Sequence, residues 1–293
     1  MHPSLRRCLI AVLQLVIFSN SYIALCAVVM CLTTVRLFNL RLPNSFLPFI
    51  FFGTLGSYSL HLYLTDGSLR RTDRERWIDQ HKHLLLGLFI GSMLIGGWLL
   101  IRLTAYLTDL LPVVALTFLY TAPKIDWRPF RALRQIAVLK TTYLALVWTY
   151  VTVALPILLT PASPRTHWTL AVAWFLNRFL LIYGIALCFD YRDRDVDRQS
   201  KWLTIVSMLT GRQVRLFFGL IVLCFGLTAG ALYGLGWTEW TLLCICLPMF
   251  LLVLVARRII TGASDYGYYV CLDGLLMVTG ILLTLAPNGL AGE

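Results

Sequence analysis

What constrains this chain most is a recurrence. Stretches of about 20 predominantly apolar residues, the length that crosses a hydrocarbon core, follow one another from end to end. Nine can be placed, near 9–35, 44–65, 83–102, 104–122, 139–160, 168–189, 213–235, 239–256 and 266–287. An open sheet cannot satisfy its backbone in lipid, so the expected fold is all-α: a polytopic bundle of about nine transmembrane helices. Composition agrees, since 59% apolar residues, 13% charged residues and a mean hydropathy of +0.77 are far from a soluble domain of this size. The first stretch is too long for a signal peptide and lacks a small-residue cleavage pattern, so it is expected to be retained.

Basic residues give an orientation. Twenty Lys and Arg fall on one side of these spans, among them Arg6, Arg7, Arg70, Arg71, Arg74, Lys140, Arg192, Arg198 and Arg257, against four on the other (Arg36, Arg41, Arg102 and Arg165). Positive charge collects on the cytoplasmic side, which predicts a multi-pass protein of the cell (inner) membrane with its N-terminus cytoplasmic and its C-terminus outside. The net charge of +11 then needs no nucleic-acid partner, because basic loops suit the lipid bilayer and phosphorylated substrates. Eight cysteines lack CxxC or Cys/His metal spacing and read as small apolar side chains. Polar loops recur with a four-helix rhythm, suggesting one domain over 1–293. It would comprise two four-helix halves, roughly 1–135 and 136–265, and a last helix at 266–287, around a central cavity.

The sixth stretch ends in Asp190, Asp193 and Asp197, spaced i, i+3, i+7, which puts the three within roughly 60° of one another on one helix face. Adjacent carboxylates repel. A divalent cation with an anionic ligand behind it is the arrangement that best accounts for them at a membrane surface. Deeper in the same span, Asn177 and Arg178 place a charge about 18 Å from Asp190, at about 1.5 Å per residue, where it must pair with another helix or line a polar cavity. Asp273 in the last span invites the same question. The segment 66–76 reads as mostly a charged loop, and Trp77, Trp127, Trp168, Trp202 and Trp237 as interfacial anchors.

The Asp190-x-x-Asp193-x-x-x-Asp197 string followed by Arg198 and Thr204, the Tyr120-Thr121-Ala122-Pro123 turn leading to Lys140, and the nine-span layout together resemble the UbiA superfamily of intramembrane prenyltransferases. The resemblance implies a UbiA-like bundle that binds an isoprenyl diphosphate through Mg²⁺ and transfers the prenyl group to a lipophilic, aromatic acceptor. It implies catalytic, metal-binding roles for Asp190, Asp193 and Asp197, with Asp66 a further candidate ligand. Diphosphate contacts would fall to Arg70, Arg71, Lys140 and Arg198. The substrate cavity would draw on Tyr58, His61, Tyr183, Arg178 and Asn177, with Tyr183 facing the allylic cation.

The chain departs from the family at the second span. There Tyr58, His61 and Thr65 have the spacing of Asp190, Asp193 and Asp197, but none is a carboxylate. Either fewer metal ions suffice, with Tyr58 and His61 bonding substrate oxygens, or the chain is a catalytically degenerate relative that binds an isoprenoid or scaffolds a pathway without turnover. Asp66-Gly67 with Arg70 and Arg71 also faintly resembles the CDP-alcohol phosphotransferases. That family's aspartate groups lie close together, whereas here more than a hundred residues separate Asp66 from Asp190.

Overall fold

The computed structural model describes residues 12–65, 72–121, 140–160, 168–199, 204–259 and 267–285, and every regular element among them is helical. In chain order these are α1 (Ser21–Leu37), α2 (Phe46–Tyr63), α3 (Asp73–Gln80), α4 (Lys82–Ile101), α5 (Leu107–Thr121), α6 (Lys140–Leu158), α7 (Trp168–Gln199), the single turn α8 (Ile205–Met208), α9 (Gly211–Gly234), α10 (Glu239–Ile259) and α11 (Asp273–Leu285). The last is entered through a π-helical turn, Gly267–Leu272.

Seven of these segments are long and apolar enough to cross a membrane, which fits a multi-pass membrane protein. The second and fourth expected spans fall short. α2 carries Ser57, Tyr58, Ser59 and His61 in its second half, and α5 has only 15 residues. The first expected span is not continuous. Residues 12–18 are helical, the chain turns at Ser19–Asn20, and α1 starts at Ser21. Asn20 takes the left-handed backbone (φ 70°) that Asn tolerates better than most residues. The stretch before it packs Ile17 and Phe18 against Trp77, Ile78 and Leu85 of α3 and α4.

Of the segment 66–76 expected to be mostly charged loop, residues 66–71 lie outside the described residues, and the chain is helical from Asp73. Thr72 and Glu75 form a capping box: the Thr72 side chain accepts from the Glu75 N–H, and Glu75 accepts from the Thr72 N–H at 2.9 Å. This reciprocal bonding satisfies two orphan donors and starts α3. Trp77 lies beneath it, buried and stacked on His81 at 4.2 Å, rather than anchoring at an interface. Trp237 also packs inward, against Phe38 and Trp174, whereas Trp168 is exposed as an anchor would be. Trp127 and Trp202 lie outside the described residues.

One continuous apolar core joins α1, α2, α6, α7, α9, α10 and α11. α11 packs on α1 and α10, and α6 on α7 and α1. Gly280 allows α11 to approach α1, because a Cβ there would sit 2.5 Å from Thr33 Oγ1 and 2.7 Å from a Val29 methyl. The seven described cysteines are free.

Two prolines decide where helices bind each other. Pro156 cannot donate to the carbonyl of Thr152, and α6 accordingly contains a π turn over Tyr150–Ala154. The Thr34 hydroxyl of α1 donates to that carbonyl at 2.7 Å. Pro248 in α10 likewise frees Cys244 O, which accepts from the Thr279 hydroxyl of α11 at 3.1 Å. In lipid, neighbouring side chains must take over such groups. Thr34→Val is therefore expected to lower unfolding free energy by about 1–3 kcal/mol. The loss should shrink in a Pro156→Ala background, where the carbonyl regains a backbone partner, and a double-mutant cycle on detergent-solubilised protein checks this.

Candidate functional site

α7 continues ten residues past the expected end of the sixth span, so the aspartates ride on an unbroken helix. Asp190 and Asp193, one turn apart, line a cavity of about 260 Å³ at the end of the bundle where α2 finishes and α6 and α11 begin. α6 supplies the neighbouring wall. Its first two residues, Lys140 and Thr141, face the same space, and the Thr141 hydroxyl donates a short hydrogen bond to Asp190 Oδ2. α2 adds Tyr58 and His61, with Tyr58 OH accepting from Trp148 Nε1 at 3.0 Å. A further wall comes from the break before α1, from α3 and from the entry to α11: Asn20, Tyr22, Arg74, Tyr269 and Asp273. Behind these polar groups the lining is aliphatic, including Leu144, Ile182, Ile185 and Leu276.

The cavity thus joins five of the expected site residues, Asp190, Asp193, Lys140, Tyr58 and His61. Asp197 lies on the same helix, but its side chain is outside the described residues, as are Asp66, Arg70, Arg71 and Ala122-Pro123. Arg198 does not face the cavity. Its Nε donates to Ser207 O at 2.8 Å, and Arg194 donates to Leu209 O at 2.6 Å, so both brace the α8 turn that Thr204 caps. Arg192 lies 3.8 Å from Asp193 and sits over the Tyr268 ring at 4.7 Å. Asp190 is bonded by Thr141, with Lys140 lining the same cavity.

Tyr183, Asn177 and Arg178 are not in the cavity lining. Tyr183 is buried between Phe179 and Phe217, with its hydroxyl 3.4 Å from that of Thr142, one residue along α6 from the lining Thr141. Arg178 is buried in an interhelical network. It donates to Thr279 Oγ1 of α11 at 3.1 Å, to Asn177 Oδ1 at 2.8 Å and to Ile245 O of α10 at 3.4 Å, and it lies 4.3 Å over the Trp174 ring. Asn177 passes the connection to Thr228 of α9 at 3.1 Å. Of the two roles open to a charge at this depth, the geometry is that of a structural bond.

Arg74 is the cavity residue that the sequence pattern hid. Its guanidinium donates to Asn20 Oδ1 at 3.1 Å and covers the Tyr269 ring at 4.0 Å. The Thr72-x-x-Glu75 capping box was the available signal, because a helix starting at Asp73 fixes Arg74 in its first turn. Asn20 and Tyr22 had no such signal, since nothing in an apolar stretch marks the break at 19–20.

Among the described residues, no group of three or more His, Cys, Asp or Glu side chains could hold a metal ion by itself. Asp190 and Asp193 are hard oxygen donors on one helix face, and Mg²⁺ is commonly held by one or two carboxylates together with substrate phosphates, so this donor set fits a shared site. No protein-family model, curated protein or solved structure matches the chain.

Arg178→Ala strips several hydrogen bonds from buried partners, each worth about 1–3 kcal/mol. The expected outcome is a clearly lowered thermal midpoint, with ligand binding in the cavity retained by the folded fraction, and thermal unfolding with and without ligand reads both.

Proposed function

We propose that this protein is a UbiA-like prenyltransferase that moves a prenyl group from an isoprenyl diphosphate to a lipophilic, aromatic acceptor within the membrane, with Mg²⁺ as cofactor. One observation carries the reading: the Tyr58/His61 patch, which stands where a second aspartate motif would be, lines the same cavity as Asp190, Asp193 and Lys140. A cavity with acids and cations at its polar end and aliphatic walls behind suits an amphiphile with a charged head and a hydrocarbon tail.

Asp190 and Asp193 would hold Mg²⁺, which when bound neutralises charge on the leaving diphosphate. Lys140 places an ammonium group beside them to receive a phosphate oxygen. Thr141 fixes the Asp190 carboxylate, and Tyr58 and His61 offer hydrogen bonds to the head group in place of the absent acids. Phe189 and Trp148 line the cavity with aromatic faces that stabilise developing positive charge, while the aliphatic wall keeps water from it. The seven membrane-length helices suit a substrate and an acceptor that arrive through lipid. The nine-span layout with a cytoplasmic N-terminus belongs to the same proposal.

A second reading is a degenerate relative that binds an isoprenoid or lipid without turnover. Tyr58 and His61 favour it, because they hold a cation less well than carboxylates. The two are separated by incubating purified protein with labelled prenyl diphosphates, Mg²⁺ and membrane extract. The expected result is a labelled lipid product whose formation falls about 10²–10³-fold in Asp190→Asn and Asp193→Asn, the range typical for removing one group that stabilises transition-state charge. Mg²⁺-independent binding with no product from any donor would select the degenerate relative.

A further inference from the structure

A second, smaller space lies beside the cavity. It has a volume of about 60 Å³ and a mostly apolar lining drawn from four helices: Ala27 of α1, Gly53 of α2, Thr117 of α5, and Val147 and Val151 of α6. At about 10–15 Å³ for each water-sized occupant, it holds roughly four to six non-hydrogen atoms, the bulk of one five-carbon isoprene unit. Tyr58, Leu144 and Trp148 line both spaces, so one layer of side chains stands between them.

That layer is held shut by a printed pair of contacts between α2 and α6. Trp148 donates through Nε1 to Tyr58 OH at 3.0 Å, and the two rings meet edge to face with 6.3 Å between centroids. Trp148 is buried and lies eight residues beyond Lys140 on α6, roughly 12 Å further along the helix at about 1.5 Å per residue. A ligand whose charged head meets Lys140 therefore brings its tail to this pair. Beyond the pair, Gly53 keeps the side chamber open, because a Cβ at that position meets nothing within 4 Å.

We infer that the Tyr58–Trp148 pair is the floor of the donor pocket and sets the length of hydrocarbon tail that the protein accepts, with room for one further isoprene unit shut off behind it. This rests on an isoprenyl diphosphate as ligand, common to both readings above, and adds the tail-length class to it. Each buried methylene strengthens binding while it finds room, and the first unit that meets the ring pair loses that gain. Tyr58 stands where the resemblance places a carboxylate, so this floor belongs to the chain's departure from the two-motif pattern.

The test uses the purified full-length chain in detergent with Mg²⁺. The apparent Kd of dimethylallyl, geranyl, farnesyl and geranylgeranyl diphosphate is read from the rise each produces in the thermal midpoint. Binding is measured rather than turnover, because Trp148 also serves the transfer step of the proposed function. The wild-type profile is expected to peak before geranylgeranyl diphosphate, with that donor bound at least about tenfold more weakly than the best one, the scale on which an apolar pocket discriminates by size. Trp148→Ala joins the two spaces and moves the peak about one isoprene unit longer. Leu144→Ala opens the same layer while keeping the hydrogen bond, and it moves the peak the same way where Trp148→Ala does not fold. Gly53→Leu alone leaves the wild-type profile in place, whereas added to either opened variant it fills the chamber and returns the peak to the wild-type donor. A wild-type affinity that keeps rising through geranylgeranyl diphosphate, an unmoved peak in both opened variants, a shift that survives Gly53→Leu, or a profile shortened by Gly53→Leu alone each overturns the floor and leaves the ligand class standing. A folded wild-type chain that binds none of the four overturns the isoprenyl diphosphate reading itself, and the floor with it.

Discussion

The structure depends on how one buried guanidinium is satisfied. Arg178 lies in the middle of α7, where lipid offers no hydrogen bonds, and the bundle supplies them from α10 and α11 and, through Asn177, from α9. Trp174, beneath the guanidinium, donates to Thr34 of α1 at 3.1 Å, and Thr34 donates in turn to the α6 carbonyl that Pro156 leaves open. A connected run of polar contacts thus crosses six helices at the level where each broken contact costs most. α7 is pinned by this run, and three turns further along the same rigid helix are Asp190 and Asp193. Their position in the cavity follows from an interaction that never touches it.

α1 plays the complementary part. Along one helix Tyr22 donates to Val270 O, Cys26 to Asp273 O, Cys31 to Val151 O and Thr34 to Thr152 O. The acceptors belong to the two π-helical turns or the residue that follows one of them, where the regular i to i−4 ladder is interrupted. A π turn widens a helix and re-aims the side chains beyond it. The turn at Gly267–Leu272 sets Tyr269 and Asp273 into the cavity, while that at Tyr150–Ala154 lies one turn past Trp148. Both walls formed by these side chains are therefore held by donors from α1.

Much of this was legible in the sequence. Length and apolarity mark most spans to within a few residues, because a helix in lipid has to cover a fixed thickness. The i, i+3, i+7 spacing of the aspartates holds, since α7 remains helical through Gln199. Tertiary partners were not legible. Nothing local to Arg178 says whether it meets a cavity or Thr279, a hundred residues away, and nothing in the 9–35 stretch marks Asn20 as a corner. Within the charged run at 66–76, hydrophilicity outweighs the four-residue capping signal that starts a helix at Asp73. Proline was the underused clue. Each interior proline promises one unbonded carbonyl four residues earlier, and at Thr152 and Cys244 that promise fixes which helix must lie alongside.

The same accounting bears on the missing acids of α2. With Tyr58 and His61 at those positions, the described cavity holds three carboxylates, Asp190, Asp193 and Asp273, and two cations, Lys140 and Arg74. On the proposed prenyl-transfer reading, fewer acids would attract fewer divalent ions, so more of a diphosphate's charge would be met by side chains directly. Tyr58 is suited to that setting. Its oxygen already accepts from Trp148, which leaves the phenolic proton directed to a partner other than Trp148. In the proposed site, a hydrogen-bond donor at this position would do for a phosphate oxygen, without a metal, part of what a carboxylate does only through one. On that reading, the departure from the two-motif pattern is a shift of neutralisation from bound ions to fixed protein donors.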